Sequence, residues 1–389
     1  MEDLFGDRAQ FVYDERWDVK ALLGHHPDLV LCVNDWPYEV AQCLDAVRDS
    51  RIPSLVLQDG ILEWRCQYEN PLFGAGGGAP QHQPVLADKI ACLGNQSARQ
   101  IAAWGNAHKV EVTGMPRLDY LVGHDFPSPR RPGSRILVMT AKSAGFTDEQ
   151  KALTLQSLKD VKMYLDGLQG VEHVWRIGRS LAEALGVENR FNAVSSQELV
   201  SVLQEVDAVI TTPSTAMLEA MILRRPVAAL DYHNVPRFVP TAWTISSREH
   251  IPKTIAELLN APPRKLAFQS DCLRDCLAFD GPAAQKVARL IEKMVTWARD
   301  VRSTDSPWEM PANFLGALVQ TTEVHQVRLA DLYPEEPLFA DRAVESLQVR
   351  LARLQKRNEE LQKDLQSRSF THGIYTFGKQ IAHYFRSKT

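Results

Sequence analysis

The sequence has no long apolar run, no paired cysteines and no excess of positive charge, and each absence excludes a class of protein. No stretch approaches the roughly 18 apolar residues that a membrane-spanning helix needs. A formal net charge of −4 provides no overall field that attracts nucleic acid. The six cysteines form no CxxC pair and do not have the spacing of a zinc site. We therefore expect reduced thiols, no metal and no nucleic-acid partner.

The N-terminus, MEDLFGDR, is acidic and has none of the basic, apolar and small-residue regions of a secretory signal peptide. We expect a cytoplasmic protein on this ground. A chain of 389 residues, 44% of them hydrophobic, is long enough for two domains that each bury a core.

Short apolar runs alternate with longer helical patterns in two successive blocks. The runs of the first block are 28–35, 54–60, 89–94 and 110–114. After a stretch with three prolines, 124–134, the second block has runs at 135–141, 172–178, 207–212 and 226–231. Continuous Val, Ile and Leu runs separated by helices are typical of parallel sheets covered on both faces. The pattern predicts an α/β fold with two Rossmann-like domains and a C-terminal helical extension.

The composition also predicts the domain boundaries. We expect a first Rossmann-like domain over 1–130, a second over 131–302, an irregular linker over 303–343 and a helical extension over 344–389. Leucines at heptad spacing, with Asn358 at an a position, predict a coiled coil over 344–365 that would join copies of the chain. An amphipathic helix packed on the body fits the same pattern.

The last residues, 369–389, carry no acidic side chain, and their aromatic and isoleucine residues recur every three or four positions. Apolar stripes flanked by positive charge are typical of helices that lie on a membrane surface. The stretch is therefore predicted to contact a membrane. A basic docking helix, or the start of a linker to another domain, fits it as well.

Polar residues that follow strands are the candidate functional residues, because ligands of doubly wound sheets bind beyond the carboxyl ends of the strands. In 207–221 a strand ends at Pro213, and Ser214 and Thr215 begin a helix. Hydroxyl and N–H groups there suit a phosphate, and Glu219, one turn later, suits the hydroxyls of a ribose. A capped helix with Glu219 on a solvated face is the alternative.

Two aspartates end strands nearby. Asp59 precedes Gly60 at the end of the second strand, and Asp231 ends the strand after the 207–221 segment. His233 lies close enough to Asp231 to carry a proton or bind a phosphate. A helix cap, or an ion pair with Arg237, is the structural alternative for Asp231.

Three further positions complete the set from the residues alone. Lys142 and Ser143 follow the first strand of the second block, where an ammonium and a hydroxyl suit a carboxylate or phosphate. A solvated loop fits them equally. Asp35 ends the first strand of the chain and would face a cleft between the domains, or cap the next helix.

These segments carry a resemblance to a family. The stretch from 207 to RRPV at 224–227 resembles the nucleotide-binding segment of GT-B glycosyltransferases. VTGMPRLD at 112–119 resembles the GNPRxD segment that joins the domains of bacterial surface-polysaccharide enzymes. QDG at 58–60 and PST at 213–215 are similar to two motifs of bacterial sialyltransferases. Where those enzymes have His-Pro, this chain has Ile-Gly beside Arg176, whose guanidinium suits phosphate or carboxylate.

The placement of Asp231 resembles that in the retaining β-Kdo transferase domains of O-antigen and capsule synthases. The resemblance implies a GT-B enzyme that moves Kdo from CMP-Kdo onto a lipid-linked polysaccharide at the inner face of the cytoplasmic membrane. It implies no cofactor, and retention through Asp231 as the nucleophile. A transferase or epimerase that uses a UDP-sugar, or a non-catalytic scaffold of the same fold, is the alternative.

The resemblance also implies roles for the candidate residues. Asp59 would act as base or acceptor ligand, and His233 as proton carrier. The acceptor would contact the first domain. The nucleotide sugar would contact Pro213, Ser214, Thr215, Glu219, Lys142, Ser143 and Arg176. The acceptor contacts would be Asp35 and Glu63.

Overall fold

The computed structural model describes residues 2–71, 80–121, 123–124, 126, 134–188, 196–316, 355–356, 358–359 and 362. The chain divides into two units, Met1–Gln326 and Val327–Thr389. The described residues of the second unit are helical and exposed. The rest of the predicted coiled coil and the whole predicted tail, 369–389, lie outside the described residues. No helix within the described residues is long and apolar enough to cross a membrane.

The first half of unit Met1–Gln326 contains a parallel sheet with the strands in chain order, β1-β2-β3-β4. The strands are β1 (Val30–Cys32), β2 (Ser54–Leu57), β3 (Lys89–Cys92) and β4 (Val110–Val112). The helices are α1 (Glu2–Phe5), α2 (Val19–Gly24), α3 (Tyr38–Asp49), α4 (Trp64–Tyr68) and α5 (Asn95–Ile101). All strand pairs are parallel, as the continuous apolar runs predict.

The second half contains a parallel sheet in the order β6-β5-β7-β8-β9. The strands are β5 (Ser134–Met139), β6 (Val171–Arg176), β7 (Ala208–Thr211), β8 (Val227–Leu230) and β9 (Trp243–Ile245). The helices are α6 (Asp148–Asp166), α7 (Arg179–Leu185), α8 (Ser196–Gln204), α9 (Ala216–Ile222), α10 (Ile251–Leu259), α11 (Pro263–Cys276) and α12 (Ala283–Thr304). Strand β9 has no counterpart among the apolar runs identified in the sequence.

Both faces of the second sheet are buried. Along β5, Leu137 and Met139 belong to one hydrophobic cluster, and Ile136 and Val138 belong to the cluster on the opposite face. Successive side chains of a strand point to opposite faces, so a strand between two helical layers must be apolar throughout. The predicted α/β fold with two Rossmann-like halves is confirmed.

Helix α12 joins the two halves. It follows the second sheet in sequence, yet Val287 and Leu290 pack against Leu55 and Ala91 of the first sheet. Its first N–H groups, those of Ala283 and Ala284, donate to the carboxylate of Asp119 at 2.8 Å each. The GMPRLD segment therefore supplies the cap of the helix that crosses between the halves.

A close backbone contact fixes a second point of the junction. Gly94 follows β3, and a Cβ atom there would lie 2.5 Å from the carbonyl carbon of Cys276 at the end of α11. The N–H of Ala278 donates to the carbonyl oxygen of Leu93 at 2.9 Å in the same contact. Only glycine permits this approach of the two backbones.

Candidate functional site

The candidate site lies where the order of the second sheet reverses. Strand β5 has β6 on one side and β7 on the other, which creates a crevice beyond the carboxyl ends of β5 and β7. Thr140 follows β5 and Ser214 follows β7. The Oγ1 atom of Thr140 and the Oγ atom of Ser214 are buried, and neither has a hydrogen-bond partner among the described residues. Two unused hydroxyl groups therefore lie on either side of the crevice.

The first half meets this edge at Thr215. The Oγ1 atom of Thr215 accepts a hydrogen bond from the N–H of Ile61 at 3.1 Å. A Cβ atom on Gly60 would lie 2.9 Å from the same hydroxyl oxygen. The Gln58-Asp59-Gly60 turn and the Pro213-Ser214-Thr215 turn therefore touch, although they lie far apart in the sequence. The helix itself begins at Ala216, two residues after Ser214, where the sequence predicted its start.

Glu219 lies on α9 and is only 3% exposed. Its Oε2 atom has no hydrogen-bond partner within the described part of the chain. Burial raises the pKa of the Glu219 carboxyl, and the guanidinium groups of Arg117 and Arg176 oppose that rise. Glu219 therefore does not lie on a solvated face. Its carboxyl is enclosed, with the positive charges of Arg176 at the end of β6 and of Arg117 in the GMPRLD segment nearby.

Asp231 follows β8 and is 2% exposed. Neither carboxylate oxygen makes a hydrogen bond of ordinary geometry with any described residue. Burial raises the pKa of the Asp231 carboxyl, while Arg237, Arg65 and the N–H groups of the following loop partly offset the rise. A buried carboxylate with so little hydrogen bonding is rare in folded proteins, because the hydration that it loses is compensated only in part.

His233 lies in the same loop as Asp231. Its Nε2 atom is 3.3 Å from the Oγ1 atom of Thr154, and that hydroxyl donates its own proton to the carbonyl oxygen of Ala144 at 2.7 Å. Nε2 must then carry the proton in the pair, which leaves Nδ1 as the acceptor. Burial, helped by the positive charge of Arg65, lowers the pKa of His233 to about 4, so the imidazole is neutral at pH 7.

Arg65 is the residue of this region that the sequence analysis missed. It lies on α4, in the first half, and is 3% exposed. Its Nε atom donates to the Oε1 atom of Glu63 at 2.7 Å, and Nη2 lies 2.5 Å from the same oxygen. Burial raises the pKa of the Glu63 carboxyl, against the opposing effect of Arg65. The only sign of this ion pair in the sequence was an acidic residue two positions before an arginine, just after the QDG turn.

The remaining candidates are placed differently. Asp59 and Lys142 are exposed, and the hydroxyl of Ser143 donates to the carbonyl oxygen of Gly145 at 2.9 Å. Asp35 is fully buried, where its Oδ2 accepts from the N–H of Leu86 at 2.7 Å.

His82 also lies beside Asp35, with its Nδ1 atom 3.5 Å from Oδ1. Burial alone would raise the pKa of Asp35, but His82 and the N–H of Leu86 outweigh it and lower the pKa. Asp35 therefore holds the loop that contains residues 82–86 through Oδ2, whereas its buried Oδ1 has no hydrogen-bond partner among the described residues.

Within the described residues, no three His, Cys, Asp or Glu side chains lie close enough to hold a metal ion. A groove of about 530 Å³ runs along the outer edge of the second sheet, between β6 and residues 186–188. None of the candidate residues lines that groove, although Trp175, which does, precedes Arg176 on β6.

No protein-family model matches the chain, and no curated protein matches it. Solved structures do resemble it. The S. aureus MnaA–UDP co-structure shares 13% identity over 76% of this chain and 79% of its own, with a TM-score of 0.48.

Two further solved structures show a similar degree of likeness. A UDP-GlcNAc 2-epimerase from Methanocaldococcus jannaschii, in complex with UDP-GlcNAc and UDP, shares 12% identity over 70% of this chain and 78% of its own, with a TM-score of 0.48. The spinosyn rhamnosyltransferase SpnG shares 17% identity over 70% and 75%, with a TM-score of 0.43. Likeness of this degree assigns no family or activity to the chain.

Proposed function

We propose that the chain is a glycosyltransferase that uses a nucleotide-activated sugar, with Asp231 as the reacting carboxylate. The observation that carries the proposal is the state of that side chain, which is buried at the carboxyl edge of the second sheet and makes no hydrogen bond of ordinary geometry through either oxygen. Such a group costs the fold free energy. A costly ionisable group at the place where doubly wound sheets bind ligands is a candidate for chemistry.

The proposed reaction has two displacements. A carboxylate oxygen of Asp231 attacks the anomeric carbon of the donor, and the bond to the nucleotide phosphate breaks, so the phosphate leaves with the electron pair. The acceptor hydroxyl then attacks the glycosyl–Asp231 ester from the opposite face and releases the carboxylate. Two inversions retain the configuration of the donor. The Nδ1 atom of neutral His233 is the group proposed to take the proton of the acceptor hydroxyl.

The proposed donor is CMP-Kdo, and the proposed acceptor is a lipid-linked bacterial polysaccharide. The QDG and PST motifs and the placement of Asp231 support this donor through the resemblance stated above. The hydroxyl of Ser214 and the Oε2 atom of Glu219 are proposed to contact the nucleotide, since both atoms are buried and have no hydrogen-bond partner among the described residues. Contact of 369–389 with the inner face of the membrane and self-association through 344–365 belong to the same proposal.

The first test compares CMP, UDP and CDP in a thermal-shift assay of the full chain. A ligand at about 100 times its Kd stabilises the folded state by about 2.7 kcal/mol. A rise in Tm with CMP alone supports the acid-sugar donor. A rise in Tm with UDP alone favours a UDP-sugar transferase or epimerase. Binding of a nucleotide with no turnover, insensitive to Asp231→Asn, would instead favour a scaffold.

The second test examines Asp231 itself. Asp231→Asn should abolish transfer from CMP-Kdo but leave nucleotide binding intact, because the amide retains the shape of the carboxyl and cannot act as the nucleophile. Asp45→Asn is the control, at an exposed aspartate of α3 that has no proposed role in the reaction. Normal turnover by Asp231→Asn would remove Asp231 from the chemistry.

A further inference from the structure

Arg65 has one unused edge. Its Nε and Nη2 atoms are held by the Oε1 atom of Glu63, but Nη1 is buried and has no hydrogen-bond partner among the residues described. An unsatisfied buried guanidinium N–H costs free energy comparable to a lost charged hydrogen bond. Because Glu63 fixes the plane of the group, the direction of the free Nη1 is fixed as well.

Helix α4 brings this group to the second half. At the end of α4, the Oε2 atom of Glu69 accepts from the Nε2 atom of Gln150 at 3.2 Å, which ties the helix to α6. At its start, the rings of Trp64 and Phe238 lie 6.2 Å apart. Phe238 belongs to the loop after β8 that also contains Asp231. The helix that contains Arg65 therefore contacts two elements of the second half.

The electrostatic effects agree with that position. Arg65 opposes the rise in the pKa of Asp231 and contributes to the fall in the pKa of His233. Its guanidinium nevertheless makes no hydrogen bond with the carboxylate of Asp231, whose two oxygens are unbonded. A buried donor and a buried acceptor that both lack partners are rare in folded proteins, and a bound group is one explanation for them.

We propose that Arg65 is a substrate-binding residue whose Nη1 donates to an anionic oxygen of the sugar donor, from a carboxylate or a phosphate. The inference rests on the proposed function and adds the first half's contribution to it: the site on the second half is complete only with Arg65. Arginine suits both anions because its planar N–H groups match their oxygen geometry. Glu63 is the positioning residue that holds the guanidinium.

The test measures binding of two probes by calorimetry, with the full chain. CMP supplies a phosphate without a sugar acid, and free Kdo supplies a carboxylate without a phosphate. Arg65→Gln should weaken the probe that bears the recognised anion on the order of 10- to 100-fold. The control is Arg16→Gln, because Arg16 pairs with Asp14 at the same two-residue spacing but is exposed. The affinities of Arg16→Gln for CMP and for Kdo should equal those of the wild-type protein.

The two sources of the anion give different results. A loss confined to CMP assigns a phosphate oxygen to Arg65, and a loss confined to Kdo assigns the carboxylate. Arg65→Gln with wild-type affinity for both probes overturns the inference while leaving the proposed function in place. Wild-type protein that binds none of CMP, UDP, CDP and Kdo overturns the proposed function and the role of Arg65 together.

Loss of folding is separated from loss of binding by a second variant. Arg65→Gln leaves Glu63 as an uncompensated buried charge, whereas the double change Glu63→Gln with Arg65→Gln removes both charges at once. The double variant should fold, as circular dichroism and thermal melting will show, and should have the same 10- to 100-fold loss. Full affinity in the folded double variant overturns the inference.

Discussion

The unbonded carboxylate of Asp231 leads to a prediction about stability that does not depend on the identity of any substrate. Asp231→Asn should make the protein more stable near pH 8. Burial raises the pKa of this carboxyl more than Arg237 and Arg65 lower it, so the charged form is worse off in the fold than in water. An asparagine removes the charge and retains the shape of the side chain.

The size of the expected rise in Tm follows from the cost of burying the charged carboxylate of Asp231. A buried polar group without a partner costs about 1–3 kcal/mol and a charged one costs more, so exchanging the charged carboxylate for a neutral amide should recover on the order of 1–3 kcal/mol. The melting entropy of proteins is about 2.1 cal/mol/K per residue, so for a unit that spans Met1–Gln326 each kcal/mol shifts Tm by roughly 1.5 °C. Asp231→Asn should therefore raise Tm by about 1.5–4.5 °C near pH 8.

The dependence on pH identifies the cause. An acid whose pKa is raised in the fold binds more protons when folded than when unfolded, so its contribution to stability falls as pH rises from about 4 through the raised pKa. The difference in Tm between Asp231→Asn and wild type should be smallest near pH 4 and full near pH 8. Asp59→Asn, at an exposed position, should change the free energy of unfolding by less than about 0.5 kcal/mol.

Differential scanning calorimetry at pH 4, 6 and 8 measures these differences. A variant that melts at or below the wild-type temperature near pH 8 would refute the reasoning, because it would mean that the charge is compensated in the fold. A gain of equal size at pH 4 and pH 8 would also refute it, since a neutral carboxyl would then be as costly as the charged one.

Three other changes have definite expected outcomes. Gly94→Ala should lower Tm strongly, since its Cβ would meet backbone atoms at 2.5 Å, whereas Gly178→Ala, with open space around it, should not; equal melting would contradict the close contact. Thr215→Ala should cost about 1–3 kcal/mol in urea unfolding, because the Ile61 N–H loses its acceptor, and Thr215→Ser should restore it. Removing 369–389 should reduce liposome binding in a flotation assay but leave transfer to a soluble acceptor unchanged; loss of both would assign the segment to the fold.

Much of the site lay within reach of the sequence, because a strand end is a local property. Asp231 and Ser214 became candidates because each follows a continuous apolar run typical of a covered parallel strand, and Glu219 because it lies one turn into the helix that follows. Arg65 was missed because it belongs to a five-residue helix with no apolar pattern of its own. Strand β9 was missed because three residues are too few to show a period.

By itself, then, the sequence determined the α/β class, the two sheets and the residues at the carboxyl ends of their strands. Those features depend on local apolar runs and turn residues. Only the tertiary structure decided which charged groups are enclosed together, and hence which pKa values are raised or lowered. Burial and proximity belong to no single segment: Arg65 and Asp231 become neighbours only because the two halves pack with α4 against the loop after β8.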